Sequence, residues 1–253
     1  MTTEHYESHD MVDQYLLFHY GNAEDILPYD FGPVDALEFH RRCVDLLAGT
    51  ADISMPGHGL DLGCAVGRAT FELARHCEKV IGIDYSASFI AAAEQLKKYG
   101  TKPIFRVDEG DHGLPVDIAV PPDIDRTRTD FQQGDAGALP DHIGPFDVAL
   151  LANLIDRLPD PRRCLNDMGR LLVSGGTLMI CSPYTWLEEF TPRNQWLSAY
   201  TNDGEPLATI DALKSELGSA FKLIATHDVP FLIREHARKY QWSVSQATIW
   251  RRK

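Results

Sequence analysis

The residues best suited to chemistry are carboxylates at the ends of short apolar runs. Asp61 lies inside Leu60-Asp61-Leu62-Gly63-Cys64-Ala65-Val66-Gly67, a turn expected between a strand and a helix. Glycine at 63 permits a tight turn, and glycine at 67 lets the next helix pack closely, so a ligand meets bare backbone. Dinucleotide enzymes share that device. The Asp61 carboxylate, expected to point into the crevice, would repel a pyrophosphate and attract a cationic amino group. Asp84 closes Val80-Ile81-Gly82-Ile83-Asp84 and precedes Tyr85. An acid at that place accepts hydrogen bonds from both ribose hydroxyls. Gly134-Asp135-Ala136 follows a third apolar run, where a carboxylate can accept an adenine amino group.

The elements that must hold these residues alternate between strand and helix. Strands are expected at 58–62, 80–84, 129–134, 146–151 and 177–181, with helices at 68–76, 87–98 and 161–172. That rhythm predicts an α/β fold, Rossmann-like and doubly wound, with a mainly parallel seven-stranded sheet. Two helices, 8–20 and about 33–47, precede the first strand and make a helical cap over 1–57. Residues 58–182 form the cofactor-binding core of a single domain spanning 1–253. A hairpin over 103–120, turning at Asp111-His112-Gly113, interrupts the core, either as a surface decoration or as a lid. Residues 183–253 supply a substrate-side loop and an antiparallel pair, 221–229 with 243–250, of period-two alternation.

Bulk composition narrows the partners. The net charge is −13, from 37 acidic and 24 basic residues, a field that repels nucleic acid and anionic membranes. Neither a secretory signal nor an apolar run near the ~18 residues of a membrane span is visible. Five scattered cysteines without a CxxC pair fit reduced thiols, so a cytoplasmic location is expected. The spacing of His5, His9 and His19 fits no metal site, and none is expected.

Over roughly 58–182 the series resembles class I methyltransferases, which use S-adenosylmethionine and release S-adenosylhomocysteine. Ala65 departs from the pattern, because such motifs usually carry glycine there. The resemblance assigns Asp61, Gly63, Ala65, Gly67, Asp84, Tyr85, Asp135, Ala136 and Asn153 to the cofactor. Further segments are more specific: Met11 through Gly21, Asn153-Leu154-Ile155-Asp156-Arg157, Ser182 through Phe190, and the ending around Arg234-Glu235, Ala237 through Ser243 and Ile249 through Arg252. Together they resemble the 5-thiohistidine (4-mercaptohistidine) N-methyltransferase family of ovothiol biosynthesis. That family occurs fused to an iron enzyme and also alone. The resemblance implies the stand-alone form, with a separate sulfoxide synthase acting upstream.

The implied reaction moves a methyl group to an imidazole ring nitrogen of 5-thiohistidine, giving ovothiol A. Imidazole loses its extra proton near ~6.5, so only a modest push from a base is needed. Asn153, Tyr184 and His19 are the candidates nearest the chemistry. Gln14, Tyr15, His19, Tyr20, Asp156, Arg157, Tyr184, Trp186, Glu188 and Arg234 are candidates for the substrate, with Glu189 and Arg238 beside them. Aromatic rings among carboxylates suit a small zwitterion, and arginine suits its carboxylate. Each has a bland alternative: a capped turn, a core aromatic, a buried structural histidine or a surface ion pair. A different small acceptor, a non-catalytic cofactor-binding module and a nicotinamide oxidoreductase are the rival functions.

Overall fold

The Ser8 hydroxyl starts the first helix by accepting the Met11 amide at 3.3 Å. This helix, α1 (His9–Tyr20), buries Val12, Leu16, Leu17, Phe18 and Tyr20, and stops at Gly21. A four-residue α2 (Ala23–Ile26) follows. The computed structural model describes residues 7–51, 57–200 and 204–253, so His5 and parts of the expected cap lie outside the described residues.

The helix expected from about residue 33 is broken. A 3-10 turn (Val34–Ala36) comes first, Glu38 takes φ +53°, and α3 runs Phe39–Ala51. A left-handed residue cannot continue a right-handed helix. Leu37 therefore leaves the apolar face that His40, Val44 and Leu47 keep buried.

The core then follows as β1 (His58–Leu62), α4 (Arg68–Leu73), β2 (Lys79–Asp84) and α5 (Ala87–Tyr99). Next come a hairpin of β3 (Thr101–Glu109) and β4 (His112–Ala119), then β5 (Thr129–Gln133), β6 (Phe146–Ala152) and α6 (Pro161–Leu171). The chain ends with β7 (Leu172–Ser182), a short pair β8 (Ala199–Tyr200) and β9 (Pro206–Leu207), α7 (Thr209–Leu217), β10 (Phe221–His236) and β11 (Lys239–Arg252). The inserted hairpin turns one residue earlier than expected, because Gly110 takes φ +56°. Helix α7 was not anticipated, although Leu213 and Leu217 sit one turn apart on its buried face.

Seven strands form one sheet in the order β10-β11-β7-β6-β1-β2-β5. All pairs are parallel except those of β11, which runs antiparallel to β7 and β10. Helices cover both faces. Leu16, Phe39, Leu47, Phe71 and Leu96 pack on one side, and Leu165, Met168, Leu213 and Trp250 on the other. Strand order reverses between β1 and β6, so the ligand crevice lies beyond their C-terminal ends.

The terminal strands are far longer than the expected 221–229 and 243–250. Alternation falters at Pro230, yet β10 is an edge strand, where a residue without an N–H is tolerated. Gln246 pairs with both Ser182 and Asp228. Beyond that level the β10–β11 ribbon projects past the sheet on the crevice side by about eight residues per strand, roughly 25 Å.

Candidate active site

The turn after β1 is shaped for close approach. Gly63 and Gly67 take φ +76° and +88°. A Cβ on Gly63 would stand 2.8 Å from Leu154 Cδ1, and one on Gly67 2.6 Å from Phe131 Cε1. Ala65 between them takes φ +45°, so its methyl group brings backbone strain as well as bulk. The turn is tied on both sides. The Ala65 amide donates to Asp84 Oδ2 at 2.8 Å, and Tyr20 Oη donates to the Val66 carbonyl at 2.8 Å.

Two acids lie behind this turn. Asp61 is 1% exposed, and its Oδ2 accepts the Thr70 hydroxyl at 2.7 Å. The expectation of a carboxylate open to the crevice is thereby corrected: one oxygen is turned back onto α4. Burial, with Asp84 adding repulsion, pushes Asp61 up to about 7. Burial also lifts Asp84 to about 6, against amide donors from Ser86 and Ala65. Asp135 is exposed and accepts the Gly137 amide at 2.8 Å, while Ala136 is buried beneath it. Tyr85 is exposed, and its carbonyl accepts Gln133 Nε2.

At the ends of β6 and β7 stand two strained residues, Asn153 at φ +54° and Tyr184 at φ +55°. The Asn153 amide donates to the Cys181 carbonyl at 2.8 Å, and its Oδ1 accepts Ser245 Oγ at 2.6 Å. Tyr184 Oη donates to Gln246 Oε1 at 2.9 Å, and burial raises this phenol above its ordinary range. Fully buried Asp156 binds both loops together. Its Oδ1 accepts Ser182 Oγ, and its Oδ2 accepts the Thr185 amide and Arg157 Nη1.

Several substrate candidates are engaged elsewhere. Asp156 is a structural tie rather than an open ligand. Arg157 lies against it and over the Phe190 ring. Trp186 belongs to the core, with Nε1 donating to Thr209 Oγ1. Glu188 is exposed, 3.6 Å from Arg193, and Glu189 is exposed beside it.

The N-terminal helix, the inserted hairpin and the terminal ribbon pack against one another. Gln14 Nε2 donates to the Arg234 carbonyl at 3.1 Å, and the Tyr15 ring packs 4.8 Å from that of Phe89. Arg234 was expected to pair with a substrate carboxylate, with a solvated basic stretch before the last strand as the alternative. Instead Arg234 is 3% exposed and donates to the Asp25 carbonyl, the Val107 carbonyl and Asp108. Both terminal nitrogens are thus taken and only the buried Nε lacks a partner, so the fork is not open to clamp a substrate carboxylate. Arg238 is exposed at the ribbon tip.

His19 does not have the surroundings of a base. It is buried with its ring centroid 3.5 Å from that of His40, and Nδ1 has no partner. Burial, then His40 and Arg68, hold it well below the usual imidazole range. Among the described residues no group of side chains could hold a metal ion, and no helix is long and apolar enough to cross a membrane.

Sequence reasoning missed Thr70, Asp108, Ser245 and Gln246. Only the alternation along β11 hinted at the last two.

Comparison with known proteins agrees with this geometry. Two family models described as methyltransferase domain match residues 60–178 and 124–244. No curated protein sequence matches significantly. Among solved structures, the [4+2]-cyclase SpnF is 16% identical with a TM-score of 0.60, covering 99% of this chain and 94% of its own. The N-methyltransferase NodS from Bradyrhizobium japonicum WM9, solved with S-adenosyl-L-homocysteine, is 18% identical at 0.52, covering 95% and 98%. YcgJ from Bacillus subtilis is 13% identical at 0.55, covering 85% and 99%. At such identities the likeness establishes the fold, that of class I methyltransferases. With the two domain matches, which between them span residues 60–244, it supports an S-adenosylmethionine-dependent methyltransferase.

Proposed function

We propose that the enzyme methylates an imidazole ring nitrogen of 5-thiohistidine, giving ovothiol A and S-adenosylhomocysteine. One observation carries the choice of acceptor. The segments that resemble the ovothiol family are distant in sequence yet bonded to one another around the crevice. Gln14 reaches the Arg234 carbonyl, Asp156 joins Ser182 and Thr185, and Ser245, just past the Ala237–Ser243 segment, holds Asn153. A family's particular substrate is expected to be read by residues so converged.

The residues present fit the cofactor. Gly63 and Gly67 hold left-handed backbone in a tight turn packed on Leu154 and Phe131, and two buried acids stand at adjacent strand ends. Asp61 and Asp84 would hold the amino and ribose groups, Gly63, Ala65 and Gly67 would line its path, and Tyr85, Asp135 and Ala136 would frame the adenine. When bound, the sulfonium supplies an already activated methyl group. The protein must then orient the acceptor, keep its ring nitrogen unprotonated and exclude water. Gln14, Tyr15, Asn153 and Tyr184 are the polar and aromatic groups available for that orientation. A separate sulfoxide synthase would supply the acceptor.

Mass spectrometry with S-adenosylmethionine and 5-thiohistidine, with histidine in parallel, tests this reading. A product methylated on ring nitrogen from the thiolated substrate alone is expected. Absence of product with cofactor binding intact would overturn the acceptor and leave the methyltransferase.

A further inference from the structure

The geometry points to Ser245 as a positioning residue of the methyl-transfer site, acting through Asn153, with its neighbour Gln246 doing the same for Tyr184. The inference rests on the reading that Asn153 serves the cofactor or the acceptor.

Consecutive strand residues face opposite sides of a sheet. In β11 that alternation is used to grip the crevice rim twice. Ser245, 0% exposed, donates its hydroxyl proton to Asn153 Oδ1 at 2.6 Å, and Gln246 Oε1 accepts Tyr184 Oη at 2.9 Å. Both gripped residues hold left-handed backbone without being glycine, at φ +54° and +55°. Such conformations persist where surrounding bonds over-determine them, and they gather at functional sites. The Cys181 carbonyl already fixes the Asn153 backbone, so the Ser245 hydroxyl decides the remaining freedom, the side-chain amide. Accepting at Oδ1 leaves the Nδ2 protons as the donors presented to a ligand. Asn153 is thereby set to meet an acceptor such as a carboxylate or a ring nitrogen.

The arrangement has a further consequence. Ser245 sits at the root of the projecting ribbon that carries Arg234, one residue before the level at which β11 pairs with β7. The ribbon and the crevice rim therefore share a strand.

Ser245→Ala, Ser245→Thr, Asn153→Ala and the double variant Ser245→Ala with Asn153→Ala form the test. S-adenosylhomocysteine titration calorimetry, steady-state kinetics and melting temperature are read for each. Ser245→Ala is expected to weaken cofactor affinity or kcat/KM about tenfold, the scale of one well-placed hydrogen bond. Ser245→Thr should recover most of that loss. The double variant should equal Asn153→Ala, because residues acting through one another are not additive.

Wild-type behaviour of Ser245→Ala would overturn the inference. So would an additive double variant, or a loss that tracks melting temperature and is not restored by threonine. If 5-thiohistidine is not methylated by the wild type, the acceptor reading fails alone, since the calorimetric arm needs no acceptor. If Asn153→Ala changes nothing, both the Asn153 assignment and this inference fall.

Discussion

Arg234 of the terminal ribbon and Asp108 of the inserted hairpin form an ion pair that joins the two longest excursions from the sheet. Around it, Arg106 reaches Asp25 at 2.9 Å and Asp108 at 3.2 Å. Tyr29 Oη donates to the Ala237 carbonyl, and the Ala237 amide donates to the Asp108 carbonyl. The N-terminal segment, the hairpin and the ribbon are thus bonded to one another, in part through charge-assisted bonds.

Because Arg234 serves three partners from a buried position, Arg234→Ala should be a stability variant first. Leaving two carbonyls and Asp108 without it should cost roughly 2–3 kcal/mol, measured by urea unfolding. Lysine should not rescue it, since one ammonium cannot reproduce the planar fork. Unchanged stability with a raised KM for the acceptor would return Arg234 to the role of substrate clamp.

The imidazole pair predicts an acid-sensitive element. Burial, with Arg68 and Arg42 nearby, holds His40 down to about 3, and His19 is held well below 6.5. A base with a depressed folded pKa binds fewer protons in the native state than in the unfolded chain. Its contribution is therefore lost as pH falls from about 6.5 toward about 3. Asp61 and Asp84, both raised, work in the opposite direction over the same range, so the wild-type curve is a sum. His40→Leu isolates one part. Relative to wild type it should gain about 2 kcal/mol between pH 7.5 and pH 5. Parallel pH profiles for the two proteins would show that His40 is not buried uncharged.

The raised acids also predict a proton linkage for the cofactor. At pH 6 the carboxyl of Asp61, at about 7, is largely protonated, and that of Asp84, at about 6, is half so. A cationic ligand favours their ionised forms, so binding should release protons and tighten as pH rises through 6 to 7. Calorimetry of S-adenosylmethionine in buffers of different ionisation enthalpy measures this. Heats independent of buffer at pH 6 would remove both acids from contact with the cofactor.

Ala65 is the one residue of the turn after β1 that departs from the glycine pattern, and it carries φ +45°. Left-handed backbone costs a non-glycine residue roughly 1–2 kcal/mol, partly regained because alanine restricts the unfolded chain. Ala65→Gly should therefore raise stability by about 0.5–1 kcal/mol and leave or improve cofactor affinity. A clear loss of either would mean that the methyl group of Ala65, a residue 8% exposed, makes packing contacts worth more than the strain.

The strand ends and the turn after β1 were legible in the sequence because their signals are local. Gly63, Gly67, Asp84 and Asp135 each announce a strand end within a few residues. The substrate side was read less well because its signals depend on distant partners. Nothing near Arg234 reveals that Asp25, Val107 and Asp108 will surround it, and nothing near His19 reveals His40 stacked on it. An antiparallel pair at the sheet edge was expected, but Pro230 made β10 look finished at 229, because the alternation falters there. The break before α3 had no local marker beyond Pro33, because Glu38 adopts a conformation that its residue type disfavours.

Asp156 separates structural from ligand roles most sharply. It is 0% exposed and connects the loop after β6 to the loop after β7 through Ser182, Thr185 and Arg157. Asp156→Ala leaves the Thr185 amide and the Ser182 hydroxyl without their acceptor, at roughly 3 kcal/mol. The Ser182 hydroxyl also accepts the Tyr184 amide at 3.0 Å, so Tyr184 loses its anchor in the same step. The expected result is a lower unfolding midpoint together with a fall in kcat/KM, both partly restored in Asp156→Asn, whose amide oxygen can still accept one of the bonds. A rise in acceptor KM at an unchanged midpoint would instead make Asp156 a direct contact to the substrate.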